Sequence, residues 1–189
     1  MSKPDNYIVF DLEAACWRGH PPNGKQMEII EIGAVKYNRN MEKVSEFQAF
    51  IKPETCPVLS TFCKELTHIR QEDINSAESY PTIIEEFKQW ITDNGTKKYL
   101  LLSWGRYDKN QLAKDCVLHN LEHTWVKYHV NIKNKFSRVA GKKKPGLTNA
   151  LKVLGLTFEG TQHRGIDDAR NIGRIFEIDH VAMLSKTKT

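Results

Sequence analysis

A length of 189 residues is what one hydrophobic core can serve, so we expect a single domain over residues 1–189, with its core at about residues 5–181. An apolar content of 40% together with four tryptophans excludes a wholly disordered chain. Lys and Arg total 28 against 23 Asp and Glu, a mild basic excess that suits a polyanionic partner without requiring one.

The first residues are polar, and the apolar run after them has only four residues, too few for a signal-peptide core or a membrane span. We therefore expect no membrane association and a cytoplasmic location. The four cysteines show no CxxC spacing and are expected to be reduced thiols. A zinc site at Cys116, His119 and His123 is disfavoured because no fourth ligand follows the pattern.

Three strands are predicted in the first third of the chain. Residues 7–13 begin as a continuous apolar run, which is typical of a strand buried on both faces. After a Gly- and Pro-rich loop at residues 18–24, β-branched and aromatic residues predict strands at residues 28–37 and 44–51. Because no helix fits between these strands, we expect a three-stranded antiparallel meander.

Helices and strands alternate after the meander. Pro81 suits a first helical turn, and the apolar residues that follow repeat at helical spacing on one face: Ile83, Ile84, Phe87, Trp90 and Ile91. A fourth strand is predicted at residues 99–104 and a helix at residues 108–118. The apolar stretch at residues 125–132 fits either a strand or a helix.

The last third begins with a basic loop at residues 141–146, and helices are predicted at residues 147–154 and 167–178. The fold class is therefore α/β. We expect a mixed sheet of three antiparallel strands followed by alternating helices and strands, with helices on both faces. In the loop, Lys142, Lys143 and Lys144 either contact phosphates or are solvated.

Four acidic residues lie near the ends of these elements. Asp11 and Glu13 are two residues apart on a strand and so share a face, Asp108 follows the fourth strand, and Asp168 opens the last helix. For the first pair alone, solvation at a strand end is an equal alternative. If all four converge, two carboxylates ~4 Å apart repel by about 4 kcal/mol at an effective dielectric of ~20, so cations must bind there. Oxygen ligands favour Mg²⁺ or Mn²⁺, and two such ions support phosphodiester hydrolysis.

His163 lies five residues before Asp168, with Gly165 between them, which predicts a loop position close to the acids. The pKa of an unperturbed imidazole is about 6.5, so a histidine here suits a general base. The other six histidines are expected to be structural or solvated. Helical spacing places Asp168 on the face of Ile172, Ile175 and Phe176, which must pack on the sheet, and it turns Asp167 outward.

Three motifs, taken in order, resemble the DEDDh exonucleases of the RNase T and proofreading-subunit superfamily, which have an RNase H-like fold. They read FDLEA at residues 10–14, SWGRYD at residues 103–108 and HRGIDDARN at residues 163–171. The first two look closest to the histone-mRNA 3′-end exonuclease branch, which includes bacterial inhibitors of a sporulation kinase pathway. The resemblance implies a 3′-to-5′ exonuclease that binds nucleic acid 3′ ends, favours RNA over DNA and releases nucleoside 5′-monophosphates.

The resemblance also implies the roles of individual residues. Two metal ions are bound by the four acids Asp11, Glu13, Asp108 and Asp168, and His163 is the general base. The terminal base is sandwiched by the rings of Phe62 and Tyr107. The 3′-nucleotide pocket is lined by Ala14, Leu66 and Thr67. For Phe62 and Leu66, four residues apart on a predicted helix, core packing is the alternative. The family's Leu-Thr-Gly-Ile turn has His68 in place of glycine, so its backbone conformation is in question.

Two other functions stay open. The chain could be a non-catalytic or weakly catalytic regulator that acts by binding a protein partner, although the complete set of acids and His163 argue against this. It could also be an RNase H-like endonuclease, which would open a circular single strand that an exonuclease leaves intact. RNA is favoured by resemblance only, because contact with a 2′-hydroxyl depends on pocket geometry.

Overall fold

The computed structural model describes residues 3–141 and 143–185, so Lys142 of the basic loop lies outside the described residues. A mixed sheet forms the centre of the fold. Its strands are β1 (Asn6–Ala14), β2 (Ile29–Asn38), β3 (Lys43–Phe50), β4 (Tyr99–Ser103) and β5 (His129–Asn131). Their spatial order is β3-β2-β1-β4-β5.

The strand pairing matches the predicted topology. β1 pairs antiparallel with β2, and β2 pairs antiparallel with β3, as direct connections require. β4 is parallel to β1, and β5 is parallel to β4, because helices carry the chain back between these strands. The predicted α/β class and mixed sheet are confirmed.

Seven helices accompany the sheet within the described residues. They are α1 (Thr61–Thr67), α2 (Gln71–Asn75), α3 (Tyr80–Thr92), α4 (Tyr107–Leu118), α5 (Ile132–Val139), α6 (Leu147–Val153) and α7 (Gly165–Leu184). The central strand β1 alternates its side chains between two layers of them. Ile8 and Phe10 lie in the buried cluster that includes Phe87 of α3, whereas Tyr7 and Val9 lie in the cluster that includes Phe176 of α7.

The stretch at residues 125–132, which fitted either a strand or a helix, contains parts of three elements. A 3₁₀ turn at Thr124–Lys127, the short β5 and the first residue of α5 follow one another. None is long enough for its periodicity to show. α2 and α5 were not predicted because each buries too few residues to mark an apolar face, Ile74 in α2 and Ile132 with Phe136 in α5.

The last helix is longer than predicted, running over Gly165–Leu184 with a non-helical residue at Asp179. The four cysteines are free thiols, as expected. Among the helices of the described residues, none combines the length and apolar content that crossing a bilayer needs. Cys116 and His119 both contact Tyr80, through a hydrogen bond and a stacked ring respectively, so packing accounts for them without a zinc ion.

Candidate active site

Asp11 and Glu13 lie at the carboxyl end of β1, on the face that Tyr7 and Val9 turn toward α7. The same alternation that buries these two apolar residues therefore aims both acids at the start of the helix. Glu13 is 8% exposed, and Asp11 is partly exposed. The face of β1 that is apolar at Tyr7 and Val9 therefore becomes acidic at the carboxyl end of the strand.

Asp108 lies in the first turn of α4, the helix that follows the neighbouring strand β4. Since β4 is parallel to β1, the helix that follows β4 begins beside the carboxyl end of β1. The Asp108 carboxylate accepts a hydrogen bond from the Leu12 backbone N–H at 3.4 Å. The backbone of β1 thus holds the carboxylate of a residue that lies 96 positions later in the chain.

Asp168 approaches from the helix above the sheet. It is 9% exposed and lies on the buried face of α7 with Ile172 and Phe176, as the helical spacing predicted. Its Oδ2 accepts a hydrogen bond from the His163 backbone N–H at 3.0 Å. Asp167 turns away, and its carboxylate accepts hydrogen bonds from Thr161 N and an Arg170 guanidinium nitrogen, both at 2.9 Å. The two adjacent acids therefore have different surroundings.

His163 lies in the loop just before α7 and is exposed. Its φ of 62° is in the left-handed region, which costs a non-glycine residue roughly 1 kcal/mol or more. Potential ligand atoms of Glu13, His163 and Asp168 all lie within 4.8 Å of one another. Among the described residues, this is the group whose side chains are placed to share a metal ion.

The carboxylates disfavour their own ionisation. Burial is the largest cause in each case, and it raises the pKa of Glu13 to about 8, of Asp168 to about 7 and of Asp108 to about 6. The pKa of Asp11 is also raised well above its usual range by burial, and the neighbouring acids raise it further. Divalent cations with a preference for oxygen ligands relieve this repulsion, so the residues fit the metal ions that the resemblance to DEDDh exonucleases implies.

The family model described as Exonuclease, of the RNase T type, matches residues 8–176. The chain belongs to this exonuclease family. The nuclease domain of 3′hExo, a DEDDh family member bound to rAMP, superimposes with a TM-score of 0.88 at 32% identity, covering 97% of this chain and 96% of that chain. The mixed sheet and its helices therefore have the RNase H-like fold of DEDDh exonucleases.

Curated relatives carry related descriptions. The 3′-5′ exoribonuclease 1 proteins of Mus musculus and Homo sapiens are each 32% identical over 179 residues, which is 90% of this chain but 52% and 51% of theirs. The chain thus spans about half the length of these relatives. The 3′-5′ exonuclease Snipper of Drosophila melanogaster is 31% identical over 198 residues, covering 92% of this chain and 69% of that protein.

The α1 segment of this exonuclease-family chain lies beside the end of β1. Phe62 and Leu66 are both half-buried, and the Arg18 guanidinium lies 5.5 Å from the centre of the Phe62 ring. Thr67 is fully buried, and its hydroxyl donates to Cys63 O at 2.9 Å and accepts from Ile69 N at 3.3 Å. The Thr67 hydroxyl therefore stabilises the local turn.

Two further predicted pocket residues flank the acids directly. Ala14, at the end of β1, is 6% exposed, and its carbonyl accepts a hydrogen bond from the Cys63 thiol at 3.7 Å. This bond joins β1 to α1. Tyr107 precedes Asp108 and is 45% exposed, so its ring is accessible. The structure thus brings α1, Ala14 and Tyr107 around the acidic cluster.

His68 adopts the conformation that glycine would permit in its place. It caps α1 with φ 58° and ψ 15°, and its N–H donates to Lys64 O at 3.0 Å. The substitution therefore leaves the turn intact. The cost is the steric strain of a side chain in left-handed backbone, roughly 1 kcal/mol or more.

Glu31 is a further buried acid beside the cluster, and it lies outside the motifs from which the site was predicted. It lies opposite Glu13 in the pairing of β1 with β2 and is 0% exposed. Its carboxylate accepts hydrogen bonds from Gly165 N and from the guanidinium of Arg164. The available sequence signal was a charged residue within the strongly apolar segment that forms β2, since such a residue needs a buried partner.

Proposed function

We propose that the chain is a metal-dependent 3′-to-5′ exonuclease that hydrolyses single-stranded nucleic acid, with RNA favoured over DNA, and releases nucleoside 5′-monophosphates. The observation that carries this proposal is the convergence of four buried or half-buried carboxylates from β1, α4 and α7 at one edge of the sheet, with His163 beside two of them. Membership of the exonuclease family supports the same reaction.

The four carboxylates would hold two divalent ions, Mg²⁺ or Mn²⁺. The ligands are Asp11, Glu13, Asp108 and Asp168. Carboxylate oxygens suit these hard cations, and the raised pKa values of the four acids support the proposal, because positive charge would favour their ionised forms. Bound ions of this kind supply charge stabilisation for the scissile phosphate and help to deprotonate a water.

His163 would act as the general base. Its imidazole accepts a proton from the attacking water while the new bond from the water oxygen to phosphorus forms and the bond from phosphorus to the 3′-oxygen breaks. The departing 3′-oxygen then takes up a proton. The loop position of His163 supports this role, because its ring lies close to Glu13 and Asp168 and is open to solvent.

Substrate recognition would use the aromatic and apolar groups around the acids. Phe62 and Tyr107 would sandwich the terminal base, with three neighbours lining the nucleotide pocket: Ala14, Leu66 and Thr67. Base stacking on an aromatic ring contributes about 1 to 3 kcal/mol and tolerates any base. The rAMP in the related 3′hExo nuclease domain supports a mononucleotide-sized pocket and a ribonucleotide ligand.

The test is digestion of matched RNA and DNA strands, each 3′-labelled, in Mn²⁺, in Mg²⁺ and in EDTA. We expect labelled mononucleotides from linear single strands with either metal, none in EDTA, faster release from RNA and no cleavage of circular single strands. Opened circles would indicate an endonuclease. Absence of cleavage with both metals would refute the proposal and favour a regulatory protein.

Asp108→Asn is the matched inactive control. The asparagine keeps an oxygen that can accept the Leu12 N–H bond, but it lacks the charge that a cation requires. We expect it to abolish cleavage while leaving thermal stability in EDTA unchanged or higher, because one of the mutually repelling charges is removed. Retained cleavage would exclude Asp108 as a ligand.

A further inference from the structure

Glu31 is buried among the acids yet is not placed to bind a metal ion. Its Oε2 accepts hydrogen bonds from Gly165 N at 3.0 Å and from Arg164 Nε at 3.2 Å. Its Oε1 accepts from Gln48 Nε2 at 2.7 Å and from Arg164 Nη2 at 3.3 Å. Both oxygens are thus already used by the protein.

The donors to Glu31 belong to the loop that carries His163. Arg164 is the next residue and caps α7, and Gly165 is the first residue of that helix. A carboxylate at this position satisfies one of the free N–H groups of the first turn and complements the positive end of the helix. Glu31 therefore acts as a cap supplied from the sheet, 134 residues away in sequence.

The loop is also pressed closely against β2. A Cβ at Gly33 would lie 2.0 Å from the backbone of Gly165 and Ile166, so the strand leaves no room for a side chain there. The Arg164 guanidinium lies 5.3 Å from the centre of the Phe50 ring on β3. The backbone on the C-terminal side of His163 is therefore seated on the sheet by a close contact and by the Glu31 hydrogen bonds.

These contacts bear directly on His163. Its left-handed backbone persists only if the residues around it are held. The backbone N–H of His163 donates to the carboxylate of Asp168. The two residues that follow His163 are held by the carboxylate of Glu31.

We propose that Glu31 is a positioning residue that holds His163 in place for proton transfer, through its hydrogen bonds to Arg164 and Gly165. This inference rests on the proposed function, in which His163 is the general base. It adds a residue that touches neither substrate nor metal and that acts on the turnover rate through the loop.

The molecule offers a matched control in Glu46. This residue lies on β3 and also pairs with an arginine of α7, because both its oxygens accept hydrogen bonds from Arg170, at 3.0 and 2.6 Å. Like Glu31, it joins the sheet to the last helix. Within the part of the chain that the structure describes, the polar partners of Glu46 are Arg170 and Lys43, and neither belongs to the loop that carries His163.

The experiment compares Glu31→Gln with Glu46→Gln on a single-stranded RNA. We expect Glu31→Gln to lower kcat by roughly 10- to 100-fold with KM changed less than about 3-fold, as removal of supporting hydrogen bonds does in other sites. Glu46→Gln should leave both constants unchanged. In a His163→Ala background, Glu31→Gln should lower the remaining rate by less than about 2-fold, since both changes act on one group. Additive effects, or an unchanged kcat, would overturn the proposal.

Amide hydrogen exchange gives a readout that does not depend on activity. Glu31→Gln should speed exchange at residues 163–165 by about 10-fold or more, whereas Glu46→Gln should not. If the wild-type protein proves inactive, the proposed function fails, and exchange alone still shows whether Glu31 holds the loop. Arg164→Gln, at a side chain that is 23% exposed, breaks the same pair if Glu31→Gln does not fold. Unchanged exchange in a folded variant would overturn the proposal.

Discussion

The carboxylate cluster (Asp11, Glu13, Asp108 and Asp168) and the α1 wall (Phe62, Leu66 and Thr67) lie side by side but are built differently. The cluster is carried by a nine-residue central strand and by helices of 12 and 20 residues, all anchored in the core. The wall is carried by a helix of seven residues that ends at a strained His68. The groups proposed to bind metal are thus fixed by long elements, whereas the three wall residues proposed to contact the terminal nucleotide lie on a short one.

This difference has a physical reason. Metal ligands need placement within fractions of an ångström, which only an element packed along much of its length can supply. Stacking tolerates small shifts of a ring and every base has a face to stack on, so a short helix is sufficient. Substitutions in the cluster should therefore act on turnover, and substitutions in the wall should act on substrate binding.

The largest expected effect separates two adjacent acids of α7. Asp168→Ala should lower metal-dependent cleavage by at least about 1,000-fold and weaken calorimetric Mn²⁺ binding, because it removes a proposed ligand. Asp167→Ala is the matched control, and it should keep most activity while losing about 1 to 2 kcal/mol of stability with its contacts to Thr161 and Arg170. The reverse pattern would assign the ligand to Asp167 and break the comparison.

His163→Ala should lower kcat by roughly 100-fold, since a general base contributes about that much, and should leave Mn²⁺ affinity nearly unchanged. Added imidazole should restore part of the rate by replacing the missing base. Calorimetry and rescue kinetics measure the two expectations separately. Because the His163 ring lies close enough to Glu13 and Asp168 to share an ion with them, a large loss of metal affinity would instead identify it as a ligand.

Phe62→Ala tests the α1 wall, and Tyr107→Ala tests the second ring proposed to hold the base, which lies on α4. Each should weaken substrate binding by about 1 to 3 kcal/mol, with little change in kcat or in preference among bases, because stacking is lost while the cluster is untouched. The measurement is KM on matched homopolymer strands, together with thermal unfolding. Normal KM values in folded variants would mean that these rings only pack, and α1 would no longer count as a binding element.

The smallest expected effect concerns the cap of α1. His68→Gly should raise the free energy of unfolding by about 1 kcal/mol, because glycine adopts the left-handed conformation without steric strain. His68→Ala keeps a Cβ and should bring no such gain. Chemical denaturation of both variants measures this difference. Equal stability would show that the wall is not strained, and the contrast with the cluster would then rest on helix length alone.

Much of the site could be predicted because its features are local in sequence. The two-residue spacing of Asp11 and Glu13 determines their common face, and helical spacing distinguishes Asp168 from Asp167. The first three strands follow one another with no helical segment between them, and this predicted the antiparallel meander. Short elements such as α2 and β5 escaped prediction because they carry too few residues for a period to appear.

By itself, the sequence determined the fold class, the family motifs and the acids that belong together, since these follow from periodicity and from residue type. Tertiary structure alone decided which groups make hydrogen bonds to the acids. Glu31 contacts a loop 134 residues later, and Asp108 is bound by a backbone N–H 96 residues earlier. Such partners meet only when strands from distant segments align in one sheet, because the register of the sheet, and no local preference, sets the distance between them.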